Sequence, residues 1–268
     1  MPARPDLAAA HLKGQVQAAN FVEGRTMTIA RGRAALRHAP SLEAIQDDEL
    51  LFGEPFKVYE FKDGWAWGQS AVDGYVGYLH TIVCGDPIEP THRVTALTTP
   101  VLAGPDIKRA TRDLLPLNAR VKDLERTKGF ARIAPDGFVF AGHIAPLDVL
   151  ASDWVATAER FVGTAYVWGG KTHAGLDCSG LVQTALAAAG IAAPRDTDQQ
   201  EALGSAVPLA ERRRGDLVFW NGHVGIMLDA VRLLHANAFH MQVEIEPLDD
   251  AIARIAAVAG PVTTVKRL

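Results

Sequence analysis

The sequence predicts a multidomain protein in which two small all-β units precede a larger α+β domain. Three observations support this. The chain has 268 residues, enough for more than one core. One stretch repeats, with Leu51 corresponding to Leu114, a shift of 63 residues. After Pro146 the sequence changes from short strand-like segments to helical periodicity. Hydrophobic residues at 48% and charged residues at 22% are ordinary for a globular protein and exclude disordered and collagen-like classes.

The internal repeat aligns LLFGEPFKVYEFKDGWAWGQSAVDGYVGYL at 51–80 with LLPLNARVKDLERTKGFARIAPDGFVFAGHI at 114–144. Both copies alternate apolar and polar residues and contain Asp-Gly pairs, a pattern typical of short strands joined by tight turns. The sequence therefore predicts an N-terminal segment at 1–25, a first β unit at 26–88 and a second at 89–148.

The third domain, predicted at 149–268, begins with helical signals. Asp153 precedes an apolar face spaced by three and four residues, which is typical of a helix start. A second helix is predicted from Cys178 to Ala189, with Gly190 ending it. Helices followed by consecutive strands are typical of α+β folds rather than alternating β-α-β folds. The predicted strands cover 216–220, 223–229, 232–238 and 243–248.

Charge and cysteine content limit the classes of partner. The net charge of −4 and pI of about 6.1 argue against nucleic acid or an anionic membrane as the ligand, because those partners need a basic surface. No stretch has the roughly 18 apolar residues of a membrane span, and no secretory segment is recognised. Two cysteines are too few for a disulfide framework. We therefore expect a cytoplasmic protein with no membrane partner, no cofactor and no metal.

Cys178 is the candidate nucleophile. It follows a turn-rich run and begins the predicted second helix, where unpaired N–H groups and the helix dipole favour a thiolate and predict a lowered pKa. The same N–H groups could stabilise an oxyanion. His223 and His235, on consecutive predicted strands, are the candidate bases, and the sequence leaves open whether they meet. Cys84 is interpreted as a small core residue.

The ordered set DCSGL, RRRGDLVFW, HVGIML and LLHA resembles the NlpC-type family of papain-like cysteine peptidases over 150–250. The resemblance implies that Cys178 attacks an amide carbonyl, that His223 is the general base and that His235 orients its imidazole. It also implies that Tyr166 lies beside the nucleophile and assists the oxyanion site. Asp216 is interpreted as structural.

The first β unit resembles bacterial SH3-like barrels, on the evidence of Gly64-Trp65 and of Gly74-Tyr75-Val76-Gly77, and the second unit is assigned to them through the repeat. Two such barrels before an NlpC-type domain resemble cytoplasmic endopeptidases of murein recycling. That resemblance implies cleavage between γ-D-glutamate and an L-diamino acid in murein tripeptides or tetrapeptides with a free N-terminal L-Ala. It implies that substrate is bound by Glu54, Tyr75, Asp177, Ser179, Arg195 and Thr197.

Alternatives stay open at this point. Asp177 is also explained as a helix cap, and Arg195 and Thr197 as members of an exposed loop. The same thiol could be the nucleophile of an amidase or acyltransferase. A further hypothesis is a cell-wall-binding protein with an inactive peptidase fold. The sequence does not decide between diaminopimelate and lysine, nor does it give the oligomeric state.

Overall fold

The computed structural model describes residues 1–268 and divides them into two compact units, Met1–Val149 and Leu150–Leu268. The predicted start of the third domain at 149 lies one residue from this boundary. The two predicted β units and the N-terminal segment belong together to the first unit. None of the helices has the length and apolar character needed to span a bilayer.

The first unit is built from short strands and brief 3-10 turns. The N-terminal segment holds a parallel pair, β1 Leu7–Ala9 and β2 Asn20–Val22. The first barrel comprises β3 Arg25–Ile29, β4 Arg33–Arg37, β5 Gln46–Leu51, β6 Pro55–Lys62, β7 Trp65–Ser70, β8 Val76–His80 and β9 Cys84–Gly85. The second comprises β10 His92–Val94, β11 Thr98–Leu102, β12 Thr111–Pro116, β13 Arg120–Val121, β14 Asp123–Thr127, β15 Phe130–Ile133, β16 Phe138–Phe140 and β17 Ile144–Pro146.

The sequence repeat is a repeat of topology. In the first barrel the strand order is β5-β4-β8-β7-β6-β3-β9, and all pairs are antiparallel. The second barrel has the same neighbours, with β10 in the place of β3 and β17 in the place of β9. The counterpart of the long strand β6 is interrupted and forms β13 and β14. The second barrel therefore separates into a three-stranded and a five-stranded sheet.

Each barrel has its own core. Phe56, Leu36 and Leu79 are fully buried in the first, and Cys84 packs partly buried against it, as expected for a small core residue. The N-terminal segment is not separate from the barrel, because Leu7 and Leu12 pack on its outer aromatic residues. Those aromatic residues are Tyr59 and Trp67.

A tight backbone contact joins the two barrels. Phe52, at the end of β5, packs into the core of the second barrel, and its carbonyl accepts a hydrogen bond of 2.8 Å from the Arg120 amide. Gly53 follows with φ +82°, and a Cβ there would lie 1.9 Å from the Arg120 carbonyl oxygen. Only glycine permits both the left-handed conformation and this close approach.

The second unit is α+β, as predicted, with helices on one six-stranded antiparallel sheet. Its sheet order is β20-β25-β21-β22-β23-β24. The helices are α1 Trp154–Glu159, α2 Cys178–Ala188, α3 Thr197–Gln200 and α4 Leu248–Ala259. The strands are β18 Lys171–Thr172, β19 Gly175–Leu176, β20 Ser205–Ala206, β21 Leu217–Trp220, β22 His223–Met227, β23 Arg232–Asn237, β24 Gln242–Pro247 and β25 Thr264–Arg267.

Local sequence explains how these elements start. The Asp153 carboxylate accepts a hydrogen bond of 3.0 Å from the Ala156 amide and caps α1, as predicted. Asp216, fully buried before β21, accepts hydrogen bonds from the Arg213 amide and the Arg267 guanidinium. The structural role predicted for Asp216 is therefore confirmed, and the carboxylate ties β25 to the sheet.

Candidate active site

The candidate nucleophile begins a helix whose start is firmly held. Cys178 is the first residue of α2 and is 7% exposed. The carboxylate of Asp177 caps the helix by accepting a hydrogen bond of 2.7 Å from the Gly180 amide. The cap satisfies one of the free amides at the helix start and fixes the position of the thiol.

The surroundings of the thiol correct one prediction. Burial raises the pKa of the Cys178 thiol, and the negative charge of Asp177 raises it further. Hydrogen bonds from the Thr197 hydroxyl and from the amides of Val224 and Ser179 lower the pKa but do not cancel the increase. The expected lowering was wrong because a helix start that is buried also removes the thiolate from water. The resting group is therefore a thiol, which needs a base to remove its proton.

The two candidate histidines meet. β22 and β23 form a hairpin in which Ile226 pairs with Leu234, and this register places His223 diagonally opposite His235. His223 Nε2 and His235 Nδ1 are 2.9 Å apart, a hydrogen-bond distance. The Val224 amide, next in the chain to His223, donates a hydrogen bond to the Cys178 sulfur, so the start of β22 lies at the start of α2.

His223 is a neutral base in the resting protein. Burial lowers the pKa of His223 to about 3, and the neighbouring His235 and the Arg254 guanidinium act in the same direction. At neutral pH its ring is uncharged, and the ring nitrogen without a proton can accept one from the thiol. Thiol and imidazole therefore form a neutral pair in which the thiolate arises when the proton moves to His223.

Glu246 and Arg254, which were not predicted from the sequence, continue the series of hydrogen bonds that begins with His223 and His235. His235 Nε2 is 2.7 Å from Glu246 Oε1, on β24, and the guanidinium of Arg254, on α4, binds the same oxygen. Burial opposes ionisation of Glu246, but the hydrogen bond from His235 and the nearby Arg254 guanidinium outweigh it, and the pKa of Glu246 lies below its usual value. The sequence pattern that could have indicated Glu246 is the alternation in VEIEPL, directly after the strand that carries His235. This alternation places Glu244 and Glu246 on one face of β24.

A metal does not fit this cluster. His235, His240 and Glu246 have ligand atoms within 4.8 Å of one another, a grouping that sequence spacing did not predict. The Arg254 guanidinium, however, already binds the Glu246 oxygen that faces His235. A cation would have to displace that positive charge. The cluster is therefore a chain of hydrogen bonds.

Tyr166 lies half-buried next to the nucleophile. Burial raises the pKa of its phenol, and the nearby Asp177 carboxylate raises it further. The hydroxyl is therefore protonated at neutral pH and able to donate a hydrogen bond. This matches the predicted contribution of Tyr166 to an oxyanion site, which stays a prediction.

Asp177 and Arg195 form a buried ion pair, and this corrects the expectation that Arg195 faces substrate. Arg195 is 2% exposed, and its guanidinium binds both carboxylate oxygens of Asp177 at 2.9 and 2.6 Å. It also donates to the Ser179 hydroxyl at 2.8 Å. The Gly169 amide adds a further hydrogen bond to Asp177. Arg195 therefore supports the start of α2, and Asp177 is a helix cap as well as an ion-pair partner. Substrate binding by Asp177 and Ser179 stays a prediction.

The remaining predicted residues fall in both units. Thr197 Oγ1 is 3.7 Å from the Cys178 sulfur, close enough for a hydrogen bond. In the first unit, Glu54 is 5% exposed and accepts a hydrogen bond from the Leu51 amide, while Tyr75 packs partly buried against the first barrel's core. Substrate binding by these residues stays a prediction.

Comparison with known proteins agrees with the interpretation of the second unit as a cysteine peptidase domain and of the first barrel as SH3-like. Residues 163–258 match the NlpC/P60 family, a cysteine peptidase family, and residues 36–81 match the bacterial dipeptidyl-peptidase Sh3 domain. The gamma-D-glutamyl-L-lysine dipeptidyl-peptidase of Bacillus subtilis (strain 168) is 34% identical over 110 residues, which are 38% of this chain and 37% of that protein. Dipeptidyl-peptidase 6 of Lysinibacillus sphaericus is 26% identical over 243 residues, 81% of this chain and 89% of that protein.

The fold is shared as well. A crystal structure of an NlpC/P60 family protein from Bacillus cereus ATCC 10987 superposes with a TM-score of 0.77 at 19% identity, covering 91% of this chain and 99% of the other. The predicted combination of SH3-like barrels with a papain-like domain is therefore confirmed. The chain spans about a third of the length of the Bacillus subtilis relative, 37%.

Proposed function

We propose that this chain, which joins an NlpC/P60 domain of the cysteine peptidase family to a bacterial SH3 domain, hydrolyses an amide bond in peptidoglycan-derived peptides. The observation that carries the proposal is a buried thiol at the start of α2 that accepts a hydrogen bond from the Val224 amide, the residue after His223, which is itself hydrogen-bonded to His235. A nucleophile, a base and a residue that orients the base are the elements of acyl transfer through a covalent intermediate.

The mechanism begins with the neutral pair. As the Cys178 sulfur attacks the carbonyl carbon, its proton moves to His223, and His235 holds the resulting imidazolium. Backbone amides at the start of α2 and the Tyr166 hydroxyl stabilise the tetrahedral oxyanion. His223 then returns the proton to the departing amine, leaving a thioester on Cys178. Water attacks the thioester as His223 takes its proton. The acyl–sulfur bond then breaks, the free acid is released, and the proton returns from His223 to the Cys178 sulfur.

The proposed bond lies between γ-D-glutamate and an L-diamino acid in short peptides that begin with L-Ala. The support is the similarity to the gamma-D-glutamyl-L-lysine dipeptidyl-peptidase of Bacillus subtilis and to dipeptidyl-peptidase 6 of Lysinibacillus sphaericus, which aligns over 81% of this chain. A role in recycling cell-wall peptides in the cytoplasm belongs to the same proposal. Recognition of the substrate's ammonium group by Glu54, Tyr75 and Asp177 stays a prediction from the sequence resemblance.

Incubation of the purified protein with L-Ala-γ-D-Glu-diaminopimelate and its lysine analogue, followed by mass spectrometry, tests the proposal. We expect release of L-Ala-γ-D-Glu and the free diamino acid. An N-acetylated tripeptide serves as the matched control, and slower turnover of it supports recognition of a free amino group. Absence of hydrolysis in the whole panel would refute the peptidase, and transfer of the acyl group to an added amine without hydrolysis would identify an acyltransferase instead.

The acid side of the pH profile provides a separate prediction. Because burial lowers the pKa of His223 to about 3, the base stays neutral well below the ordinary histidine value of about 6.5. We expect kcat/KM to remain on its plateau as the pH falls through 6.5 and to decline only toward pH 3. Rates measured between pH 4 and 8 check this, and a midpoint near 6.5 would contradict the neutral buried base.

A further inference from the structure

His235, the residue that orients the proposed base, can carry its ring proton on either nitrogen. A side-chain amide in its place would have a fixed donor and a fixed acceptor. A neutral imidazole has one N–H donor and one acceptor nitrogen, and either nitrogen can carry the proton. His235 meets His223 through Nδ1 and Glu246 through Nε2. If the proton of His235 were on Nδ1, that N–H would point at His223 and force its Nε2 to be the acceptor. The remaining proton of His223 would then be on Nδ1, the nitrogen needed as the base.

We propose that Glu246, held by Arg254, is a positioning residue that fixes the tautomers of both histidines. An ionised carboxylate only accepts hydrogen bonds, so the proton of His235 lies on Nε2 and its Nδ1 accepts. His223 Nε2–H must then donate to it across 2.9 Å. The Nδ1 of His223 is left unprotonated and free to take the proton of Cys178. The inference rests on the proposed function for the identity of the nucleophile and base.

The surroundings of Glu246 keep it ionised and in one place. Its side chain is 12% exposed, and Arg254 binds it from α4. The Arg254 guanidinium stacks on the Phe239 ring at 4.4 Å, which limits its movement. His235, His240 and, on the same face of β24, Glu244 are the other titratable groups near the carboxylate. His235 and Arg254 are its hydrogen-bond donors, and Glu244 accepts from Gln242 instead.

Glu244 offers a matched control on the same strand. It lies two residues from Glu246 and opposite His235 in the pairing of β23 with β24, and it carries the same charge, but its carboxylate accepts a hydrogen bond of 2.8 Å from Gln242. Removing it changes the charge of β24 without changing the chain of hydrogen bonds. Glu246→Gln is the conservative variant, since Oε1 alone already accepts from both His235 and Arg254.

The test is the protonation state of the ring nitrogens, measured by ¹⁵N NMR of histidine-labelled protein without substrate. In the wild-type protein we expect both His223 and His235 to carry their proton on Nε2. Glu246→Leu is expected to populate the Nδ1–H form of His235 and to lower kcat about 10- to 100-fold with little change in KM. Glu246→Gln should lose less, and Glu244→Leu should keep the wild-type signals and rate.

The outcomes separate this inference from the proposed function. A wild-type spectrum with the proton on His235 Nδ1 would overturn the inference whether or not any variant folds. So would a folded Glu246→Leu protein with unchanged tautomers and unchanged kcat, which is the result of a purely structural role. Wild-type protein with the expected tautomers but no hydrolysis of any peptide would instead refute the proposed function.

Discussion

Replacing Cys178 with alanine is expected to lower peptide hydrolysis by about 10⁴-fold or more. The sulfur is the only protein atom in the proposed steps that bonds to the substrate carbonyl carbon, and neither His223 nor His235 can replace it. The alanine variant should fold, because the helix cap from Asp177 to the Gly180 amide does not involve the thiol. Steady-state rates on the tripeptide measure the effect.

Cys84 supplies the control for this prediction. It lies at the edge of the first barrel's core, and burial raises its pKa to about 11, so at neutral pH it is an unreactive thiol. Cys84→Ala should therefore retain the wild-type rate within a factor of about two. Comparable turnover by the Cys178→Ala variant would assign the activity to another group and remove the basis of the mechanism.

Replacing Arg195 with methionine is expected to lower the free energy of unfolding of the second unit by about 3–5 kcal/mol. The change leaves the Asp177 carboxylate buried without its cation, and the remaining amide hydrogen bonds do not neutralise the charge. Denaturant unfolding measures the loss. Because a chain of two units need not unfold in one step, hydrogen exchange of the α2 amides gives the local value.

Arg214 is the matched control for Arg195. Its guanidinium binds Asp153 and Glu159, but its side chain is 40% exposed, and Arg214→Met should cost no more than about 1 kcal/mol. Adding Asp177→Asn to Arg195→Met should recover part of the loss, since the amide needs no cation. Equal stability of the Arg195 and Arg214 variants would contradict a buried charge pair at the start of α2.

The architecture could be predicted from the sequence because a sequence repeat gives a repeat of strands, and the spacing of apolar residues indicates whether a segment is a strand or a helix. The shift that relates Leu51 to Leu114 relates the strands β5 and β12, and the Asp-Gly pairs mark turns in both barrels. The hairpin that unites His223 and His235 was predicted in its strands but not in its register. Register depends on how the hairpin turn and the buried face fit together, and His223 and His235 meet diagonally.

Three features of the site could not be read from the sequence, each for a physical reason. The pKa of Cys178 depends on burial, which opposes the helix-start effect that the sequence shows. Arg195 lies in a loop, and a loop sequence does not determine whether a side chain points outward or inward toward a buried Asp177. Glu246 acts on the thiol only through two other side chains, and its place depends on the pairing of β23 with β24.

The central claim is that hydrolysis passes through an acyl group on Cys178, and hydroxylamine partitioning tests it most directly. The lysine and diaminopimelate tripeptides are hydrolysed in the presence of hydroxylamine, and the L-Ala-γ-D-Glu hydroxamate and free acid are quantified by mass spectrometry. A common thioester predicts that hydroxamate forms, that its ratio to the acid is the same for both leaving groups, and that Cys178→Ala gives neither product. Release of the acid alone at every hydroxylamine concentration, or a ratio that differs between the two leaving groups, would contradict the account.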